Sequence, residues 1–289
     1  MTSLIQKFET FRDLHYRANA FVIPNPWNAG TATILDALGF EALATTSAGL
    51  AFAIGKQDSE GAISRDEILA NARDIVAASD LPISADLENG FGSAPKDCET
   101  TILQAMEIGL VGGCIEDTTG DRDNPIHDFD LSVERIRAAA DACRDKPFLL
   151  TARAENFICG RPDLTDTITR LQAFSDAGAD VLYAPGLPDL ESIAPLCRHV
   201  DKPVNVVMGL SGPTWSLDEL SNAGVKRVSV GGSFARAALG AMVRAANEVL
   251  HQGTFDYANK ALSHTDASNL MQPKHPPQPT LGEPRVSFC

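Results

Sequence analysis

The chain has 289 residues, which exceeds the usual size of one domain but suits a single α/β barrel of about 250 residues. It carries 24 Lys and Arg against 38 Asp and Glu, so its formal net charge is −14. This acidity argues against a nucleic-acid or anionic-membrane partner. It does not argue against an anionic small substrate, because a divalent metal can reverse the local sign.

Eight short apolar or β-branched runs alternate with longer segments of helical spacing, after an opening helix predicted at roughly 2–18. The predicted strands are 21–24, 42–46, 82–88, 111–116, 148–153, 180–184, 204–208 and 226–231. The predicted helices after them are 29–38, 64–78, 97–108, 131–143, 164–177, 189–199, 216–223 and 233–250. Eight such units, without a Gly-rich dinucleotide turn after the first strand, favour an α/β fold of the (β/α)8 TIM type over a doubly wound open sheet.

The predicted domain organisation is one barrel over residues 1–252 and a C-terminal extension over residues 253–289. Prolines in the extension predict an extended or irregular tail: Pro273, Pro276, Pro277, Pro279 and Pro284. The six cysteines form no CxxC pair, and neither a membrane-spanning apolar stretch nor a secretory signal is readable. We therefore expect a cytoplasmic protein.

Acidic side chains and an arginine follow three neighbouring predicted strands, at the end where a barrel gathers its reacting groups. Asp86 and Glu88 end the third strand, Glu116 the fourth, and Arg153 and Glu155 the fifth. Since side chains two residues apart share a face of a strand, we expect Asp86 to point with Glu88, and Arg153 with Glu155. Crowded carboxylates repel unless they are protonated or bind a cation, and hard oxygen ligands suit Mg²⁺ or Mn²⁺. Helix capping or rim ion pairs would explain the same acids.

Weaker signals lie in the loops and beside the strands. Gly231 and Gly232 follow the eighth strand, where backbone N–H groups could surround an anion or the chain could turn tightly into a helix. His127, in the loop after the fourth strand, is either a catalytic acid or base or a solvated loop residue. We expect Cys114 to fill core volume.

Together these motifs resemble the isocitrate lyase/phosphoenolpyruvate mutase superfamily over about residues 20–250. The most specific motif runs from Asp86 to Gly92 as DLENGFG, similar to the family's D-x-D/E-x-G-Y/F-G. Four further motifs stand in the family's order: Asn28-Ala29-Gly30-Thr31-Ala32, Gly55-Lys56-Gln57-Asp58, Glu116-Asp117 and Arg153-x-Glu155. Each follows the expected strand, which makes the match specific.

The resemblance implies a magnesium site, with manganese as an alternative ion. It assigns Asp86 to the metal itself. It assigns Asp58, Glu88 and Glu116 to the waters that the metal binds.

The resemblance also implies a small carboxylated substrate such as a 2-oxo acid. Arg153 is the counterpart of the arginine that holds the substrate carboxylate or an enolate oxygen. Glu155, in the same motif, is a further candidate substrate-binding residue. The segment Thr46-Ser47-Ala48 corresponds to the place where backbone N–H groups and a hydroxyl bind the α-oxyacid end.

The loop after the fourth strand departs from the lyases of this superfamily. It lacks the cysteine of their K-K/R-C-G-H segment, which is their general acid. It offers Arg122, Asn124 and His127, which resemble the polar loop of phosphonopyruvate-processing members, although the lysine beside the asparagine is missing. Asn124 is thus a candidate substrate-binding residue and His127 a candidate acid or base. Asp58 is a candidate for acting beside the transferring group or positioning an attacking water.

The expected activity is magnesium-dependent cleavage or rearrangement of a C–P or C–C bond in a small, phosphonopyruvate-like 2-oxo acid, through a metal-bound enolate. An oxaloacetate decarboxylase or hydrolase, or a lyase with another general acid such as His127, is an alternative. A barrel that binds metal and 2-oxo acid without turnover is the non-enzymatic alternative. By resemblance we also expect a homotetramer in which the eighth barrel helix packs on a neighbour. The Ala-rich segment 233–250 suits either that contact or packing on its own barrel.

Overall fold

Eight parallel strands form a nearly closed barrel in the computed structural model, which describes residues 2–59 and 61–272. The strands are β1 (Phe21–Ile23), β2 (Leu43–Ala44), β3 (Ile83–Asp86), β4 (Gly112–Glu116), β5 (Leu149–Arg153), β6 (Val181–Tyr183), β7 (Val204–Val207) and β8 (Arg227–Ser229). They pair in the order β1-β8-β7-β6-β5-β4-β3-β2. Between β2 and β1, the N–H of Ala44 donates to the carbonyl of Pro24 at 3.0 Å. The predicted (β/α)8 fold and the eight predicted strands are confirmed.

A helix follows every strand, and one helix precedes them all. The helices are α1 (Leu4–Tyr16), α2 (Ala29–Ala37), α3 (Ser47–Ala53), α4 (Arg65–Ala78), α5 (Pro95–Glu107), α6 (Phe129–Cys143), α7 (Leu164–Asp176), α8 (Leu190–His199), α9 (Leu217–Asn222), α10 (Ser233–Gln252) and α11 (His264–Leu270). The prediction missed α3, a short helix of small and apolar residues with no polar face to reveal its period.

The described part of the C-terminal extension is partly helical, so the expectation of an extended or irregular chain from Gly253 onward is wrong there. A 3-10 helix covers Asp256–Lys260 and α11 covers His264–Leu270. The hydroxyl of Ser263 accepts the N–H of Asp266 at 3.0 Å and caps α11. This serine was a readable sign of a helix start, but the prediction gave more weight to the prolines. The five prolines on which the tail prediction rests lie outside the described residues, and the domain division stays a prediction.

Capping boxes fix the start of two of the outer helices. Ser64 accepts the N–H of Glu67 at 3.3 Å, and Glu67 accepts the N–H of Ser64 at 2.8 Å. Ser216 and Glu219 repeat the pattern at the start of α9. Each such cap stabilises its helix by about 1 kcal/mol and sets where the preceding loop ends.

The opening helix α1 closes the N-terminal end of the barrel. Its Phe11 and Leu14 pack in a buried cluster with Phe21 at the start of β1 and Leu149 at the start of β5. Gly112 at the start of β4 permits this approach, because a Cβ there would lie 2.8 Å from the Phe11 ring. With the N-terminal end filled, the C-terminal ends of the strands remain as the open face of the barrel.

Candidate active site

A cavity of about 700 Å³ opens at the C-terminal ends of the strands. The predicted site residues that line it are Thr46, Ser47, Ala48, Asp58, Asp86, Glu88, Glu116, Arg153 and Glu155. The cavity also reaches inward to Asn205 on β7 and Arg227 on β8. The rim predicted from three neighbouring strands is therefore a single concave site.

Arg153, the last residue of β5, is the centre of the charged groups in this cavity. Its Nη1 lies 2.9 Å from Oε2 of Glu116 and 3.4 Å from Oδ1 of Asp86. Its Nε donates to Oε1 of Glu155 at 2.7 Å. The guanidinium also lies over the Tyr183 ring, 5.0 Å from its centroid. Arg153 and Glu155 therefore lie side by side, and all three carboxylates contact the same guanidinium.

The pKa values of Arg153 and Glu155 are both raised, but for different reasons. Burial alone would lower the pKa of Arg153, but the charges of Glu116 and Glu155 raise it well above its ordinary value. Burial raises the pKa of Glu155 to about 8, despite the opposing charge of Arg153. Glu155 is 2% exposed, whereas the Asp86 and Glu116 side chains are 18% and 14% exposed. Burial therefore favours the protonated form of the Glu155 carboxyl.

Asp86 is held by the loop that follows β2. The N–H and the hydroxyl of Ser47 donate to its Oδ2 at 3.2 and 2.9 Å. The hydroxyl of Thr45 accepts the N–H of Asp86 at 3.0 Å, and Thr46 caps α3 through the N–H of Gly49. The N–H of Ser47 is thus committed to Asp86, although we expected it to meet the substrate. Substrate binding by Thr46, Ser47 and Ala48 stays a prediction.

Glu88 reaches the cavity for a different reason from the one that predicted it. Strand β3 ends at Asp86, and Glu88 adopts a left-handed conformation with φ 47°. The alternation of a strand therefore does not extend from Asp86 to Glu88, and that part of the argument was wrong. The turn is fixed by the N–H of Glu116, which donates to the carbonyl of Glu88 at 3.0 Å.

Asp58 lies at the edge of the cavity in an exposed stretch of the loop after α3. Partial burial and then the negative charge of Asp86 raise the pKa of its carboxyl, against the opposing charge of Arg153. Asp58 therefore lies close enough to Asp86 for its pKa to respond to that charge, and a shared cation would stabilise both acids.

The carboxylate oxygens in the cavity suit a magnesium ion that keeps several of its water ligands. Within residues 2–59 and 61–272, no three His, Cys, Asp or Glu side chains are grouped closely enough to hold a metal ion by themselves. Magnesium usually keeps several waters and takes only one or two protein carboxylates. The mutual repulsion of Asp58 and Asp86, and the oxygen-only chemistry of the carboxylates around them, fit an ion held in that way rather than a protein cage.

His127 and Asn124 lie away from the cavity. His127 is buried, its backbone N–H donates to the carbonyl of Asp117, and its carbonyl accepts Nη1 of Arg170 at 3.0 Å. Burial lowers the pKa of His127 to about 4, so its ring is neutral. Asn124 is exposed in the loop that the bridge between Thr118 and Ile126 closes. The structure does not bring these two candidates to Arg153.

The Gly-rich turn after β8 is occupied by a protein side chain. The N–H groups of Val230 and Gly231 both donate to Oδ1 of Asn25, each at 2.9 Å. Gly231 and Gly232 line the cavity, but these donors serve the turn. Of the two interpretations of this motif, the structure favours the tight turn into α10.

Several cavity residues were missed or misjudged from the sequence. Cys114 lines the cavity with Sγ 3.6 Å from Asp86, so it is not simply core filling. Burial raises the pKa of this thiol to about 12, which keeps it protonated. Asn205 and Arg227 were missed, although a polar residue inside an otherwise apolar strand of a barrel is a readable signal of an interior site.

Asp117 is a further residue whose role the sequence did not reveal. It follows Glu116, is 3% exposed, and accepts the N–H of Glu155 at 2.9 Å and Nη1 of Arg170 at 3.1 Å. Burial raises the pKa of Asp117 to about 6. These bonds tie the end of β4 to the end of β5 and to α7, which fixes Glu155 beside Arg153.

Comparison with known proteins gives the following likenesses. Residues 11–250 match the family model described as phosphoenolpyruvate phosphomutase. The 2-methylisocitrate lyase of Escherichia coli strain K12 is 28% identical over 256 residues, which cover 86% of this chain and 84% of that protein.

Two solved structures extend the comparison. A Burkholderia cenocepacia J2315 protein, described provisionally as a lyase or mutase, is 56% identical with a TM-score of 0.91, covering 94% of this chain and 97% of that one. A 2,3-dimethylmalate lyase is 25% identical with a TM-score of 0.82, covering 92% and 95%.

Proposed function

Because the chain belongs to the phosphoenolpyruvate phosphomutase family, we propose that it is a magnesium-dependent enzyme that cleaves or rearranges a C–C or C–P bond of a small 2-oxo acid. The observation that carries the proposal is the guanidinium of Arg153, buried in the cavity wall among Asp86, Glu116 and Glu155. A planar fork held rigidly on several sides is the donor best suited to a carboxylate or an enolate oxygen.

Arg153 keeps one nitrogen for a ligand. Its Nε and Nη1 contact carboxylates, whereas Nη2 makes no hydrogen bond to any residue in the described part of the chain. Since Arg153 lines the cavity, the two N–H groups of Nη2 are available to the oxyanion of a bound substrate. Such a donor is already in place before charge develops, which is the condition for effective electrostatic stabilisation.

Asp86 is the residue that would hold magnesium, and Asp58, Glu88 and Glu116 would hold its waters. When bound, the ion supplies Lewis-acid stabilisation of the charge that develops beside the substrate carboxylate. Ser47 keeps Asp86 oriented through two hydrogen bonds to Oδ2. Asp86 is thus positioned without help from the ion.

The protonation state of Glu155 affects the net charge of the site. Its Oε1 accepts from Arg153 at 2.7 Å, which leaves Oε2 as the oxygen that could carry a proton without breaking that hydrogen bond. With Glu155 neutral, the negative charges of Asp86 and Glu116 exceed the single positive charge of Arg153, which leaves a net attraction for a cation. Protonation of Glu155 therefore weakens this attraction for a cation but does not remove it.

Two named relatives support a carbon–carbon lyase among the reactions covered by the proposal. They are, by name, a 2-methylisocitrate lyase and a 2,3-dimethylmalate lyase, both named for carboxylated substrates. The loop after β4 lacks the cysteine of the lyase segment, so the proton that a leaving enolate needs must come from another group or from water.

A magnesium-dependent screen tests the proposal. The substrates are phosphonopyruvate, oxaloacetate, 2-methylisocitrate and dialkylmalates, with products identified by NMR and with EDTA as the metal-free control. We expect turnover of at least one substrate, lost with EDTA and restored by Mg²⁺. Turnover that EDTA does not reduce would contradict the magnesium requirement. Binding without any product across the panel would favour a non-enzymatic barrel.

We also propose that the protein assembles with copies of itself through α10, as a tetramer by the resemblance described above. Ala235 is the one buried residue among the 20 of α10. Met242, Val243 and Leu250 are 60%, 51% and 76% exposed. A helix with so much apolar surface uncovered is best explained by a second copy packed against it.

The cysteines support a reducing, cytoplasmic location, which we also propose. In the described part of the chain, Cys98, Cys114, Cys143 and Cys197 carry free thiols. No helix there has the length and apolar character needed to cross a membrane.

A further inference from the structure

The inner end of the cavity carries an arginine that the proposed chemistry does not use. Arg227 lies on β8, is 5% exposed, and lines the cavity beside Asn205 and Ser229. Its side chain crosses the barrel interior, because Nη2 donates to the hydroxyl of Thr151 on β5 at 3.0 Å. Arg227 therefore forms the floor beneath the charged rim.

Every protein partner of Arg227 is neutral. Its Nε donates to Oδ1 of Asn205 at 2.8 Å, and its Nη1 lies 3.3 Å from Nε2 of His15. The other ring nitrogen of His15 lies 2.7 Å from the carbonyl of Phe11, so that nitrogen donates and Nε2 accepts. Burial and then the charge of Arg227 lower the pKa of His15 to about 3, which keeps the ring uncharged.

A buried guanidinium without a counter-ion is costly, since an isolated charge loses its hydration and gains no partner. No carboxylate pairs with Arg227 among residues 2–59 and 61–272. A guanidinium has five N–H groups, and the contacts to Asn205, His15 and Thr151 use three of them. Two donors and a full positive charge thus remain at a surface that borders the cavity.

We propose that Arg227 is the subsite for a second anionic group of the substrate, a carboxylate or a phosphonate. The inference rests on the proposed function and narrows its substrate class to 2-oxo acids with a second acid group. The rim formed by Asp58, Asp86 and Glu116 is assigned to the metal and to the 2-oxo acid end of the substrate, whereas the floor offers a positive charge with no carboxylate partner in the described part of the chain.

The spacing of the two arginines agrees with a short substrate. Thr151, which Arg227 contacts, and Arg153 lie two residues apart on β5 and face the interior together. Two residues of a strand span about 7 Å, so Arg227 lies roughly one interior layer below Arg153. A short diacid can direct one acid group to each level.

Calorimetric binding to the full-length protein with Mg²⁺ tests the subsite. The probes are malate, 3-phosphonolactate and 2-hydroxybutyrate, which share a 2-hydroxy acid end and differ in carrying a carboxylate, a phosphonate or a methyl group. We expect the wild type to bind at least one dianion about tenfold or more tightly than 2-hydroxybutyrate. The preferred dianion identifies which acid group the floor accepts.

The variant Arg227→Met should abolish that preference while leaving the affinity for 2-hydroxybutyrate within about twofold. The matched control is Arg236→Gln, which removes an exposed cavity-lining arginine at the start of α10 and should retain the preference. Loss of the preference in Arg236→Gln but not in Arg227→Met would overturn the subsite. So would equal wild-type affinity for all three probes.

The two proposals fail in different ways. If Arg153→Gln weakens every probe but the wild type shows no dianion preference, the floor subsite is wrong and the proposed function stands. If the wild type binds none of the probes, the subsite is wrong, and the proposed function falls with it only if the magnesium-dependent screen also gives no product. If Arg227→Met does not fold, a crystal structure of the wild type with the preferred dianion tests the subsite instead. We expect the second acid group to lie within hydrogen-bond distance of Arg227. If it lies elsewhere, the subsite is wrong.

Discussion

Ser47 donates both its backbone N–H and its hydroxyl to one oxygen of Asp86, although 39 residues separate them in the chain. This pair joins the loop after β2 to the end of β3. It leaves Oδ1 of Asp86 facing Arg153, Cys114 and the N–H of Glu88. The orientation of the Asp86 carboxylate is therefore set by contacts within the fold.

Asp86→Ala should abolish magnesium-dependent turnover while the protein stays folded. Removing this side chain takes away the proposed metal ligand, and it lies at a cavity wall where the lost volume is open to solvent. Calorimetric titration with Mg²⁺ and circular dichroism check the two parts. Asp74→Ala, on an exposed part of α4, is the matched control and should behave like the wild type. Wild-type magnesium affinity in Asp86→Ala would remove Asp86 from the metal site.

Arg153→Lys should lower kcat/KM by a factor on the order of 10²–10³, the usual effect of losing an oriented oxyanion donor. An ammonium retains the charge but cannot reach Glu116 and Glu155 at once while presenting a further nitrogen to the substrate. It also loses the planar stacking over Tyr183. Steady-state kinetics on the substrate found by the screen measure the effect, with the exposed Arg144→Lys as control. Activity within tenfold of the wild type would show that a point charge suffices.

The pH dependence of stability should reveal Glu155. Its pKa is raised by burial to about 8 from an ordinary 4.5, so the fold favours the protonated carboxyl. That contribution to the free energy of unfolding is fully present below about pH 4.5 and is lost as the pH rises through about 8. Glu155→Gln has no such proton to lose. We therefore expect the wild type to lose stability relative to this variant across that window, on the order of a few kcal/mol.

Urea unfolding at several pH values from 4.5 to 8 measures the Glu155 effect. Asp117, whose pKa is raised to about 6, titrates in both proteins and largely cancels in the difference. A difference between wild type and Glu155→Gln that does not change with pH would show that Glu155 is ionised throughout. That outcome would also mean that Glu155 adds a negative charge to the site.

The barrel was predictable because its strands are short apolar runs separated by capped helices, and that pattern is local. The same is true of the rim, since Asp86, Glu116 and Arg153 each end a strand. Glu155 lies two residues beyond the end of β5 and still points with Arg153, since the two side chains contact each other directly. Strand alternation did not apply at Glu88, because a turn with positive φ follows β3 and the alternation stops at Asp86.

What escaped the sequence depends on contacts between distant segments. Arg227 resembles any charged residue at the start of a strand until Thr151 and His15 are seen around it. His127 has the residue type of a catalytic group, but the fold places it against Asp117 and Arg170. The local sequence does not show how deeply Arg227 is buried. Nor does it show that His127 lies away from the cavity.

Assembly through α10 gives the last prediction. Leu250 is 76% exposed in the single chain, so Leu250→Glu would cost little if that surface faced water. If a second copy covers it, the same change buries a charge at an apolar contact and dissociates the assembly. Size-exclusion chromatography with light scattering should show the wild type as a tetramer and Leu250→Glu at a lower mass. Leu38→Glu, at an equally apolar position that is 62% exposed at the end of α2, should retain the wild-type mass. A wild-type mass near the 30.8 kDa of one chain would mean that the apolar face of α10 has no partner copy.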